Sequence, residues 1–243
     1  MFLKLQLFLS AFIVLSSSLK LPSYIELCKL SDPELNECMK NNGNAALSSI
    51  LKGDKQYKVR SFIPLRSPEM NLNIGESLKF TIKNASMAGF ETSRIQKVRF
   101  DFNAKYVELI MHFDYIHVEG NYEMNGELLV IPIFGNGYMN VSLSQPVCTY
   151  TMDFEIISKG GEKHYSIVKA DADLRTRKVT FYFSNLFNGN ERLGNNMNQF
   201  INDNWADVYG ELKYSINNLI KTLVNDVLEA YFDKVPVEDF FIS

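Results

Sequence analysis

The chain has 243 residues, 46% of them hydrophobic and 22% charged, with a formal charge of −3 and a pI near 5.7. That length and balance suit a packed protein of one or two domains rather than a disordered chain. The slight acidity, with no run of Lys or Arg, speaks against nucleic acid or an anionic membrane as the partner.

Residues 1–18, MFLKLQLFLSAFIVLSSS, begin with Lys4, continue as an apolar run from Leu5 to Leu15 and end in small residues at Ser16 and Ser18. This is the pattern of a secretory signal peptide, and it is too short for a spanning helix, which needs about 20 apolar residues. The expectation is a secreted, extracellular protein of one domain over 19–243, with no membrane insertion. Secretion favours oxidised cysteines, and Cys28 and Cys38 bracket a short polar loop, close enough to pair. Cys148 is then left over, expected to be buried in a strand. Asn84-Ala85-Ser86 and Asn140-Val141-Ser142 are candidate glycosylation sites at Asn84 and Asn140.

A short helix is expected near residues 44–52, capped at Asn42 or Asn44 and stopped by Gly53. From 62 to 183 the pattern has period two. Leu78, Phe80 and Ile82 alternate with polar residues, as do Val98, Phe100 and Phe102, then Val107, Leu109, Met111 and Phe113. Tyr122, Met124, Leu128 and Val130 share one parity; Val168 to Leu174 and Val179, Phe181 and Phe183 follow. Such alternation predicts antiparallel strands with one dry face. Gly135-Asn136-Gly137 lacks the third glycine and the following helix of a phosphate loop, so it reads as a turn or bulge between strands.

From Asn196 to about 232 apolar residues fall on one helical stripe: Met197, Phe200, Ile201, Trp205, Val208, Leu212, Ile216, Leu219, Ile220, Leu223, Val227 and Tyr231. This predicts one helix about 55 Å long, with a bend or close contact at Gly210. A stripe that long must be buried against the dry face of the sheet. The expected fold class is therefore α+β: a long curved antiparallel sheet wrapped around one long C-terminal helix, with a short N-terminal helix. The elongated apolar interior is either a filled core or a tunnel.

No catalytic constellation is legible. Ser77 lacks the second glycine of a nucleophile elbow, and His112 and His117 are five apart on opposite faces of a strand. Asp171 and Asp173 read as solvated carboxylates, and no metal, cofactor or enzymatic activity is expected. Candidate residues of a ligand-binding wall are Phe100, Phe102, Leu109, Met111, Phe113, Tyr122, Met124, Leu128, Val130, Phe181 and Phe183 from strands, with Trp205, Val208, Leu212, Leu219 and Leu223 from the helix. Tyr122 is singled out, because a hydroxyl on a dry face needs a partner, which a ligand oxygen would supply.

Read in order, several pieces resemble the insect takeout and juvenile-hormone-binding protein family. They are Cys28 and Cys38; Phe62-Ile63-Pro64-Leu65 with Pro68; Gly89-Phe90; Gly120-x-Tyr122-x-Met124-x-Gly126 running into Val130-Ile131-Pro132-Ile133 and Gly135-x-Gly137; Asn185-Leu186-Phe187-Asn188-Gly189 with Leu193-Gly194; Phe200-Ile201-Asn202-x-Asn204-Trp205 with Glu211-Leu212; and Pro236 before Phe240-Phe241. The resemblance spans essentially the whole chain after residue 18. It implies a tubular lipid-binding (TULIP-like, super-roll) fold with a tunnel, and a disulfide mapping onto Cys28 and Cys38. It implies a secreted carrier of a small hydrophobic ligand, terpenoid, juvenile-hormone-like or fatty-acid-like, in circadian, feeding or chemosensory physiology. An unidentified receptor or carrier partner is compatible with it. The hormone carriers proper have a second disulfide, whereas Cys148 has no partner, so the chain is closer to the takeout-like branch. A further expectation is that the helix at 44–52, pinned by the 28–38 bridge, covers one tunnel mouth.

Overall fold

The computed structural model describes residues 19–74 and 77–242. The signal peptide expected at 1–18 lies outside the described residues. In chain order the elements are β1 (Cys28–Lys29), α1 (Leu35–Lys52), β2 (Leu65–Ile74), β3 (Leu78–Ala88), β4 (Arg94–Asp101), β5 (Tyr106–His112), β6 (Tyr115–Leu128) and β7 (Ile131–Ser144). Then come β8 (Val147–Lys159), β9 (Glu162–Arg175), β10 (Lys178–Phe183), α2 (Glu191–Asp203), α3 (Trp205–Phe232) and β11 (Phe241–Ile242).

The strands form a five-stranded sheet in the order β10-β7-β6-β3-β2 and a four-stranded sheet in the order β4-β5-β8-β9. The two are one curved surface. Tyr115 lies opposite Ser144, and His112 lies opposite Val147, so the β6–β7 register continues unchanged into β5–β8. Backbone hydrogen bonds from Phe113 N to Pro146 O (2.9 Å) and from Gln145 N to Asp114 O (3.0 Å) bridge the step. At that step Gln145 takes a φ of 48° and Pro146 follows. A positive φ beside a proline bends the ribbon without breaking its pairing.

The ribbon turns at Leu129-Val130, both with positive φ (49° and 62°), as a tight two-residue hairpin requires. Val130 therefore leaves the inward face assigned to it by parity and is 88% exposed. The turn expected at Gly135-Asn136-Gly137 is absent; both glycines lie inside β7. They are glycines because segment 184–186 crosses there. A Cβ on Gly137 would lie 2.5 Å from Ser184 Oγ, and one on Gly135 would lie 2.9 Å from Asn185 O.

The C-terminal stripe is two helices, not one. The chain breaks at Asn204 (φ −109°, ψ 29°), whose side chain donates to Phe200 O and competes with the helical pattern. Gly210, where a bend was expected, sits exposed within a continuous α3, with nothing within 4 Å of an added Cβ. The N-terminal helix is longer than expected, 18 residues beginning at Leu35; Gly53 (φ 86°) does end it, while Asn42 and Asn44 lie inside it. Cys28 and Cys38 are bonded, and Cys148 is buried and free.

Candidate ligand-binding interior

The interior is built around α3. Its fully buried residues lie at its ends, Val208 and Tyr209 at the start and Tyr231 and Phe232 at the finish. Between them Leu212, Ile216, Leu219, Ile220, Leu223, Val224 and Val227 are only half-buried. The first end packs on Met139, Leu143, Val179, Phe181 and Phe183 of β7 and β10. At the second, Phe232 packs in an aromatic cluster with Tyr150, Phe154 and Tyr165 of β8 and β9, and Tyr231 packs with Tyr57, Leu65 and Val235. Val107 and Leu109 of β5, which pack against the same aromatic cluster as Ile220 and Val224, are half-buried, as is Met111. A close-packed core buries such positions fully; the middle of α3 is only partly buried.

The residues expected to form the wall divide accordingly. Tyr122, Met124, Leu128, Phe181, Phe183 and Val208 are buried in one cluster, with Phe113, Trp205 and Leu212 packed against it. Phe100 and Leu109 join the aromatic cluster instead, and Leu223 a third cluster with Tyr231 and Leu65. Met111 is half-buried on β5 opposite Cys148. Phe102 follows the end of β4 and is 39% exposed, so it lies at the rim rather than on the dry face, as Val130 lies at the hairpin tip.

Inward hydroxyls are mostly claimed by the protein. The Tyr122 hydroxyl, expected to be free for a ligand, donates to Ser184 O at 2.6 Å, and burial pushes its ionisation up to about 12. Tyr150 donates to Asn225 Oδ1 (2.6 Å) and Tyr209 to Leu174 O (2.8 Å). Burial likewise pushes the Cys148 thiol up to about 12, which leaves it a poor nucleophile.

Three sheet edges are closed by asparagines from the helices. Asn198 and Asn202 of α2 each grip one β10 residue by both backbone groups, Phe183 and Phe181, at 2.8 to 2.9 Å. Asn44 of α1 does the same to Ile95 of β4, and Asn36 accepts from Phe100 N. Asn217 of α3 accepts from Leu174 N of β9. The fourth edge, β2, instead borders a groove of about 510 Å³ against α3, floored by Leu65, Met70, Met87, Leu219 and Leu223 and rimmed by Arg66 and Asn218.

One serine and one histidine lie within hydrogen-bond distance of each other. Ser142 Oγ lies 2.9 Å from His117 Nδ1, but the other ring nitrogen faces the amide of Asn140 at 3.3 Å. An amide donor there makes Nε2 the acceptor, so Nδ1 carries the proton and is no base for Ser142. Among the described residues no group of three or more His, Cys, Asp or Glu is placed to hold a metal ion.

The sequence matches, over residues 7–242, the family described as haemolymph juvenile hormone binding protein. The chain belongs to that family. It is 21% identical over 231 residues to the circadian clock-controlled protein daywake of Drosophila melanogaster and of Drosophila yakuba, covering 90% of this chain and 88% of each relative. The crystal structure of Epiphyas postvittana Takeout 1 superposes with a TM-score of 0.78 at 24% identity, covering 90% of this chain and all of that one. The roll of strands about a long C-terminal helix is thus the fold of Takeout 1. The family's sequence pieces map onto the ribbon, the 184–189 crossover and the Asn202–Trp205 helix junction, which are structural joints rather than a chemical centre.

Proposed function

We propose that this protein is a secreted, non-enzymatic carrier that holds a small hydrophobic ligand along the middle of α3. The observation that carries the reading is the apolar stretch of α3 from Leu212 to Val227, only half-buried between two buried helix ends. Membership in a family described by hormone binding supports the same reading. Apolar walls hold ligands by shape and desolvation, so bulk and chain length select more than the headgroup. In this reading residues 1–18 direct secretion and residues 19–243 form one domain. The seam beside β2 is a surface groove alongside the interior. Asn84, exposed at a bulge of β3, is the better glycan acceptor, because Asn140 is half-buried against His117.

Native mass spectrometry of protein purified from a secreting insect cell culture tests the reading. A bound terpenoid or lipid-like molecule is expected. Ligand-free protein that takes up neither farnesol nor palmitic acid at micromolar concentration would overturn it.

A further inference from the structure

Tyr165 on β9 is 6% exposed, and its hydroxyl is buried with no hydrogen-bond partner. Tyr122, Tyr150 and Tyr209 each have an acceptor at 2.6 to 2.8 Å. A buried donor without an acceptor destabilises the fold, and phenylalanine would fill the same space without that cost. The ring is held by Phe154 (centroids 5.2 Å apart), Phe232 (5.4 Å) and Phe240 (5.2 Å). Burial pushes the phenol up to about 12, so it remains a neutral donor.

The cover over this hydroxyl is thin. Phe240 packs on both Tyr165 and Phe232, and Phe241 packs on Phe100 at 5.3 Å. Both rings are half-buried and belong to the segment after α3. That segment is tied down through a two-residue parallel ladder, Cys28 with Phe241 and Lys29 with Ile242. Its anchor, β1, is fixed to α1 by the Cys28–Cys38 bond. A short ladder on a fixed base suits a part that lifts while the base stays.

We propose that the Tyr165 hydroxyl is a hydrogen-bond donor for an oxygen of the bound ligand, and that residues 237–242 form a plug that lifts to admit it. The ligand class is a hydrophobic chain carrying a neutral acceptor, such as an ester, carbonyl, ether or epoxide. An ionised headgroup would lose its water among phenyl rings with no counter-charge. This inference rests on the carrier reading and adds the end of the roll at which the polar atom of the ligand sits.

The test compares methyl palmitate with hexadecane, by displacement of a fluorescent reporter, on the secreted protein and on Tyr165→Phe and Phe240→Ala. The expected result for Tyr165→Phe is an empty protein with an unchanged or higher melting temperature. It should bind hexadecane within twofold of the parent and methyl palmitate about tenfold more weakly. Phe240→Ala should speed association of both probes. An unchanged ester-to-hydrocarbon ratio in Tyr165→Phe, or a lower melting temperature of its empty form, would overturn the donor role. Unchanged association in Phe240→Ala would overturn the plug. If the parent binds neither probe, the carrier reading falls and this inference with it; binding of both probes with an unchanged ratio removes the inference alone.

Discussion

Val130 shows how a residue's identity and its conformation can disagree. A β-branched side chain at a φ of 62° is crowded against its own backbone, a state that costs about 1–2 kcal/mol outside glycine and asparagine. It is also 88% exposed, so no packing recovers that cost. Val130→Asn is therefore expected to stabilise the protein by about 1 kcal/mol, measured as a rise in the midpoint of urea unfolding. Gly137 is the opposite case. Its added methyl would meet Ser184 Oγ at 2.5 Å and Ser184 O at 2.7 Å, and the second contact is backbone that cannot rotate away. Gly137→Ala should destabilise by roughly 1–3 kcal/mol, as overpacking does, and the same unfolding curve would show it.

At the scale of elements, asparagines join helices to strands. Two residues four apart on a helix are about 6 Å apart along its axis, and two residues two apart on a strand are about 6.7 Å apart. Asn198 and Asn202 thus match Phe183 and Phe181, and each side-chain amide satisfies the N–H and C=O that an edge strand leaves open. Replacing either asparagine with alanine strands two backbone groups and should cost about 1–3 kcal/mol. Hydrogen exchange checks it residue by residue: the amides of Phe181 and Phe183 should exchange faster in Asn198→Ala/Asn202→Ala, while Val141 on β7 keeps its protection. Asn204, two residues further on, ends α2 by bonding Phe200 O.

Over the whole molecule, burial varies along α3. Its ends are fully buried and its middle is packed but only partly buried, so truncation should cost different amounts along one helix. Val208→Ala, at a fully buried position, is expected to cost roughly 1–3 kcal/mol, whereas Leu219→Ala beside the β2 seam should cost under about 1 kcal/mol. Thermal unfolding of the two variants would decide it, and equal losses would mean that the middle of the helix is as close-packed as its ends. A ligand bound there at about 100 times its dissociation constant should add roughly 2.7 kcal/mol to either variant that still binds it.

Periodicity and punctuation alone determined that there would be a long antiparallel sheet, a C-terminal amphipathic stripe, a buried Cys148 and a nearby cysteine pair. These are local properties: side-chain parity, helical spacing and chain distance carry them without reference to the rest of the fold. What they left open depended on partners far apart in sequence. Parity placed Val130 inward, but the hairpin turned at Leu129-Val130 itself; Gly135 and Gly137 resembled a turn or bulge until the 184–186 crossover showed why they lack side chains. The stripe ran through residue 204 without interruption, because an asparagine that bonds its own helix leaves no mark on hydrophobic spacing. Tyr122 and Tyr165 are both inward tyrosines in the sequence. Only the tertiary structure placed the Ser184 carbonyl against one and three phenyl rings around the other, because hydrogen-bond satisfaction is a property of the assembled interior and not of any strand.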